Sequence, residues 1–297
     1  MVNGPSLPFN VWFVCHSCSH WLLCVWVLGI SCYADNVRTK SSEELGFLCC
    51  MYDLGVFPFR IELVGAWVDH PFISEVLPGS VVTINVVNNF KSKSGLASSS
   101  RDVAKKLWPT GIPLVNLEEN AKLLFDAENT PEKEYISGSE DHIGIIYPGI
   151  THTQYNGSYW PEEIESTQDP ALVAWLESVI KLVPISSRKE NFNPRAIENL
   201  DRSLIRLLCE SGELCWESIH KKDLFGFGEA INNSFEGKTK ILPLTLTEEV
   251  ETTRNIHLSS SYGVGISGAG GGGYLTVITE ENIEGAIEPE IRILSQG

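Results

Sequence analysis

Between Gly268 and Gly273 five of six residues are glycine, and the flanks are β-type runs, Val264-Gly265-Ile266 before and Tyr274-Leu275-Thr276-Val277-Ile278 after. Glycine loses more backbone entropy on folding than any other residue, so a run of it inside a strand pattern is costly. The cost is offset where a loop must take positive φ, or where something approaches the main chain closely. Successive backbone N–H groups that cradle an anion are one such case. Linkers lie between domains, whereas this run sits within a hairpin, which favours a built loop. It is not a Walker A loop, since no Gly-Lys-Ser/Thr follows, nor a strand–GxGxxG–helix.

The chain has 297 residues, enough for a full core and for two domains. A formal charge of −16 argues against nucleic acid as a partner, because phosphate backbones select surfaces rich in Lys and Arg. A small anion held by backbone N–H groups and a metal remains compatible with it. Six of eight cysteines, Cys15, Cys18, Cys24, Cys32, Cys49 and Cys50, fall in the first 50 residues, leaving Cys209 and Cys215 for the rest. A secreted disulfide scaffold spreads its cysteines through the fold, so a cytoplasmic location is expected for the body.

Residues 1–34 contain no Asp, Glu, Lys or Arg and carry Trp12, Trp21 and Trp26. Three readings compete with a plain appendage foreign to the fold. A signal peptide would cleave after Ala34 but lacks a basic start. An anchor needs roughly 20 apolar residues, more than this run offers. A zinc site built from Cys15, His16, Cys18 and His20 would be crowded. Residues 11–34 therefore leave a secretory or membrane-anchored alternative open.

From Val56 the pattern is regular. Phe59–Val64 alternates like a half-buried strand, and Ser80–Val87 is a β-branched one. Arg101–Trp108, Asn116–Asn129 and Leu172–Ile180 read as helices, and Lys181–Ile185 as a strand. After Asn193-Pro194 helices dominate, with Ile197, Leu200, Leu204, Leu207 and Leu208 in helical spacing and further helices at Leu224–Phe235 and Thr247–Ile256. A last strand is expected near Ile291–Leu294. The expected division is an atypical segment 1–55, a domain 56–193 and a domain 194–297.

Four stretches resemble, in order, the motifs of the GHMP kinases (galactokinase, homoserine, mevalonate and phosphomevalonate kinases). These are Pro58–Asp69, Gly95-Leu-Ala-Ser-Ser-Ser100, the pair Ala127-Glu128-Asn129 and Gly138-Ser-Glu-Asp141, and Ile266–Gly273. The resemblance covers residues 56–297. It implies an α+β fold of two domains, an N-terminal mixed sheet with helices and a C-terminal ferredoxin-like sandwich. It also implies ATP and Mg2+ as cofactors and a small-molecule sugar as substrate, with a non-sugar alcohol such as mevalonate, or a catalytically idle sensor, as alternatives.

By that resemblance Gly95, Leu96, Ala97, Ser98, Ser99, Ser100, Ser267, Gly268, Ala269, Gly270 and Gly271 hold the nucleotide. Ser99 and Glu128 ligate magnesium, Asp141 is the catalytic carboxylate supported by Arg60, and Asp69, Trp67 and Gly138 bind the sugar. The residues agree physically: hydroxyls and N–H groups where a loop enters a helix suit an anion. Hard oxygen ligands suit magnesium, and a Trp face suits a pyranose. Departures from the family pattern are Ala66-Trp67 where galactokinases carry Glu-His, Ala97 where glycine is common, Arg101 where a small residue is usual, and His142 where Gln follows the acid. The Glu128–Asp141 spacing is one residue longer.

Overall fold

The computed structural model describes residues 51–294, apart from 134 and 197. The readings offered for residues 1–50, and the place given to Ile197, lie outside the described residues. Tyr52–Leu294 forms one compact unit.

In chain order, β1 (Tyr52–Leu54) is followed by β2 (Phe59–Val64), the short α1 (Pro71–Ser74) and β3 (Gly79–Val86). Then come α2 (Ser98–Leu107), β4 (Gly111–Pro113), α3 (Leu117–Glu128), α4 (Glu140–Ile146), β5 (Ile150–Tyr155) and β6 (Glu163–Thr167). The chain continues through α5 (Pro170–Val179), β7 (Ile180–Pro184), α6 (Arg202–Lys221), α7 (Leu224–Ile241), α8 (Glu248–Leu258), β8 (Gly263–Ile266) and β9 (Tyr274–Ile278). The larger sheet has the order β2-β3-β5-β6, the smaller one β7-β9-β8, and β1 pairs with β4. Every one of these pairings is antiparallel, so the mixed sheet expected from the resemblance is replaced by an antiparallel one. The strand expected near Ile291–Leu294 is reduced to a single bridge between Ile291 and Val86.

β2 corrects a second expectation. Its alternation predicts one face in water, yet all six residues are buried. Phe59, Ile61 and Leu63 join the main hydrophobic core with Phe227, Ile231 and Leu176. Arg60 and Glu62, on the alternate positions, are 2% and 1% exposed and turn toward other protein groups. The period of two was legible; the medium on the polar face was not, because α4, α6 and α7 all pack against this strand.

Helices α5, α6, α7 and α8 start from side-chain caps, Asp169, Asp201, Asp223 and Thr247, each accepting a backbone N–H of its first turn. α2 starts differently. Its first residue follows Ala97 at φ 54°, left-handed and with no side-chain cap. A non-glycine residue there is strained by roughly 1–2 kcal/mol, the reason glycine is common at such a position. The helix also begins three residues before its expected start, taking Ser98–Ser100 into its first turn. Arg101 then lies over the Phe59 ring at 4.1 Å and donates from Nε to the Phe57 carbonyl at 2.6 Å, so its bulk ties α2 to β2.

Among the described residues no helix is long and apolar enough to cross a membrane. Cys209 and Cys215 are buried and free.

Candidate active site

The glycine run forms the turn of the β8–β9 hairpin. Gly268, Gly270, Gly271, Gly272 and Gly273 all have positive φ, which answers why glycine is concentrated there. The turn packs onto the loop before α2. A Cβ on Gly95 would come within 2.7 Å of the Ser267 carbonyl oxygen. Ser267 donates its hydroxyl to the Gly95 carbonyl at 2.9 Å and accepts the Glu62 backbone N–H at 3.2 Å. Two loops 170 residues apart in sequence are thus locked back to back.

A buried ion pair holds this junction from below. Glu62 Oε2 accepts from Lys238 Nζ at 3.0 Å and from the Gly268 N–H at 2.8 Å. Lys238 also donates to the carbonyls of Ile266 (2.6 Å) and Gly268 (3.1 Å). All three ammonium hydrogens therefore have partners, which is what a buried lysine needs.

Against the two loops opens a cleft of about 450 Å³. Of the residues singled out by sequence, it gathers Arg60, Trp67, Asp69, Gly95, Ala97, Ser98, Ser99, Gly138, Asp141, Gly268 and Ala269. Leu96 is instead a core residue, and Ser100 and Ser267 are fully buried. Gly270 and Gly271 lie on the turn's outer side, where a Cβ would meet Thr245 and Phe192. Asp141, in the first turn of α4, is partly exposed and makes a charge contact with Arg60 Nη2 that lacks hydrogen-bond geometry. Gly138 acts through its neighbour: a Cβ there would collide with the Asp69 carboxylate.

The cleft adds residues that the motifs did not single out, among them His70, Lys93, Tyr135, Glu140 and Arg188. Arg188 follows β7, donates from Nε to the Gly270 carbonyl at 2.8 Å, and leaves Nη2 buried and unpartnered. Burial first, then the charge of Arg60, lowers its pKa to about 10. Arg60 likewise leaves Nε and Nη1 without partners. Two guanidiniums with idle buried N–H groups beside the two glycine-bearing loops make a wall whose chemistry suits an anion. A lone Arg in a stretch such as Ser186-Ser187-Arg188 carries no sequence signal of that role. Trp67, His70 and Tyr135, also in the cleft lining, pack together with tilted rings, their centroids 5.1 Å (Trp67–His70) and 5.8 Å (His70–Tyr135) apart. Trp67 Nε1 and His70 Nδ1 are buried without partners.

No protein-family model matches this sequence, and no curated protein matches it. Solved structures do. A D-glycero-D-manno-heptose 1-phosphate kinase from Bacteriodes thetaiotaomicron aligns with a TM-score of 0.52 at 13% identity, over 75% of this chain and 87% of that one. Mevalonate kinase of L. major, in complex with R-mevalonate, aligns at 0.52 and 12% identity over 77% and 87%. Both are GHMP kinases. The fold is that of the GHMP kinases.

The motif resemblance implies magnesium at Ser99 and Glu128, and the donor set here does not fit that pair. Ser99 is exposed at the cleft. Glu128 is buried: Oε2 takes the Ser100 hydroxyl at 2.5 Å and His142 Nε2 at 2.8 Å, while Oε1 takes Ser137 at 3.3 Å and Lys133 at 3.4 Å. Burial alone would raise its pKa, but the hydrogen bond and charge of His142, with Ser100 and Lys133, hold it well below the usual carboxylate range. Among the described residues no group of three or more His, Cys, Asp and Glu side chains gathers as a metal site. His142, the departure after the acid, thus braces Glu128 from α4, its other nitrogen 3.0 Å from the Gly138 carbonyl.

Proposed function

We propose that this chain is a small-molecule kinase that transfers the γ-phosphate of ATP to a hydroxyl group of a sugar. The observation that carries the reading is the cleft itself. Backbone loops and two under-satisfied guanidiniums line it together with a single partly exposed acid, Asp141, held by Arg60. Phosphoryl transfer needs positioning and charge stabilisation more than covalent chemistry. The Gly95–Ser99 and Gly268–Ala269 loops would cradle the phosphates, and Arg188 would meet their oxygens. Arg60 would spread charge on the transferring group and keep Asp141 ionised. Asp141 would orient the acceptor hydroxyl and take its proton. Magnesium would enter with the nucleotide as part of the substrate.

The acceptor side supports a sugar. Trp67, His70 and Tyr135 offer ring faces, and Asp69 offers an acceptor, a pairing suited to a polyhydroxylated ring. A carboxylate-bearing alcohol such as mevalonate would bring a negative charge toward the carboxylates of Asp69 and Asp141. The test is ADP release against a panel of hexoses, deoxyhexoses, heptoses, mevalonate and homoserine. Turnover with a sugar supports the reading. Tight nucleotide or sugar binding with no ADP release across the panel would replace it with a sensor.

A further inference from the structure

Two carboxyl groups meet one guanidinium in the cleft, and a third stands behind the first of them. Arg60 Nη2 is 3.2 Å from Glu140 Oε1 and touches Asp141 Oδ1. Asp69 accepts the Glu140 backbone N–H through Oδ2 at 3.2 Å. One guanidinium shared by two carboxyl groups, with a third carboxyl close behind, is an unfavourable arrangement where the groups are shielded from water, and one carboxyl relieves it by keeping a proton. The three differ in who can do so. The Asp69 carboxylate already has a donor in the Glu140 backbone N–H. The Asp141 side chain is 23% exposed at the cleft, and its buried Oδ1 lies against Arg60. The Glu140 side chain is 9% exposed, and its Oε2 is buried with no partner. An unpartnered buried oxygen is accounted for if it carries a hydrogen meant for a ligand.

We propose that Glu140 is a specificity-determining residue that acts as a neutral carboxylic acid, donating its Oε2–H to an oxygen of the acceptor while Asp141 alone serves as the anionic base. The role rests on the reading of the cleft as a phosphotransfer site. The proton stays on Glu140 throughout; only the acceptor's hydroxyl proton moves, to Asp141. Facing Glu140 are Arg60 and Glu62 from β2, Asp69 from the turn beyond it, Lys238 from α7 and Asp141 on its own helix, with Tyr135 and Tyr155 beside it and Lys93 and Arg188 also lining the cleft. Burial is the largest influence and raises the Glu140 pKa to about 8; Arg60 and Lys238 pull it down, Asp69 and Glu62 push it up.

A native carboxyl that titrates above its unfolded value of 4.5 holds a proton that the unfolded chain releases. Its contribution to stability is full below pH 4.5 and is lost as pH rises through about 8. Glu140→Gln removes that loss, so the melting temperature of the variant relative to the parent should climb from pH 5 to pH 9. The infrared protonated-carboxyl band should be present at pH 7 in the parent, fade by pH 9, and be absent from the variant. A flat melting difference, or no band to lose, overturns the neutral acid. Neither measurement needs an acceptor.

The acceptor contact is read separately, with D-mannose, L-fucose and D-galactose as probes in ADP-release assays. The acceptor KM of the parent should rise about tenfold between pH 7 and pH 9 as the proton leaves, and that of Glu140→Gln should stay flat. Glu140→Leu should raise KM at every pH. The same rise in parent and Gln variant overturns the contact while leaving the kinase reading intact. No ADP release with these probes overturns the contact to a hexose or deoxyhexose, and none across the wider panel sinks the kinase reading as well, with the infrared and melting results still deciding where the proton sits.

Discussion

Arg60 and Glu62 leave β2 two residues apart, and each anchors a buried charge cluster. Around Glu62 everything is paired: Lys238 gives all three hydrogens, Gly268 gives its N–H, and Ala66 N–H reaches Oε1 at 3.3 Å. Around Arg60 the accounts stay open, with Nε, Nη1, Glu140 Oε2 and Asp141 Oδ1 all lacking hydrogen-bond partners. Arg60 and Glu140 are buried much as Glu62 and Lys238 are, so burial of the central groups does not separate anchor from active site. Saturation does. A finished network rigidifies the junction of the two glycine-bearing loops, whereas an unfinished one holds groups ready for a ligand that completes it.

Substitution should split the clusters along that line. The largest effect belongs to Asp141→Asn, expected to lower turnover by about two to four orders of magnitude, the scale of a general base, with ATP binding kept. Near-normal turnover in a steady-state assay would remove Asp141 from the role. Lys238→Met should act on stability. Breaking a buried pair from one side typically costs about 3–5 kcal/mol, which denaturant unfolding would detect, and Glu62→Gln in the same chain should recover part of it. A stability loss below about 1 kcal/mol would mean that Lys238 is no anchor.

Arg188→Gln comes next. Losing a hydrogen bond to a charged oxygen is worth roughly 1.5–3 kcal/mol, so the KM for ATP should rise about tenfold or more. An unchanged KM places the phosphates elsewhere in the cleft. Smallest is Ala97→Gly, which touches neither cluster. Relief of the left-handed residue, about 1–2 kcal/mol, is opposed by the entropy of a new glycine, about 0.5–1 kcal/mol. A gain of about 0.5 kcal/mol in unfolding free energy is expected, and a clear loss would show that the methyl group packs usefully.

Much of the architecture was legible from spacing. The hairpin around the glycine run, the strand at Phe59–Val64 and the helices near Asn116–Asn129 and Leu172–Ile180 all stand where their periodicity put them. β5 and β6 were not singled out; β6 is largely exposed at the sheet's edge and carries little apolar pattern. In the cleft, the glycines, Asp141, Arg60, Asp69 and Trp67 were recognisable as motif residues. Arg188 was not, Glu140 stood inside the Gly138–Asp141 stretch without a role, and the contacts of Ser100 and His142 with Glu128 were not foreseen. Ser100, a neighbour of the expected Ser99, takes Glu128, because the first turn of α2 starts at Ser98 and turns Ser100 inward and Ser99 outward.

What sequence alone determined here is local. Glycines marked where φ must turn positive, and alternation marked which residues of β2 share a face, since both depend on a residue and its near neighbours. Tertiary structure decided what each face meets. Whether Glu62 is an anchor and Glu140 an open acid depends on Lys238, Gly268, Asp69 and Arg60, groups brought from as far as 206 residues away. Ionisation and hydrogen-bond saturation are properties of an environment, and no environment exists until the chain has closed upon itself.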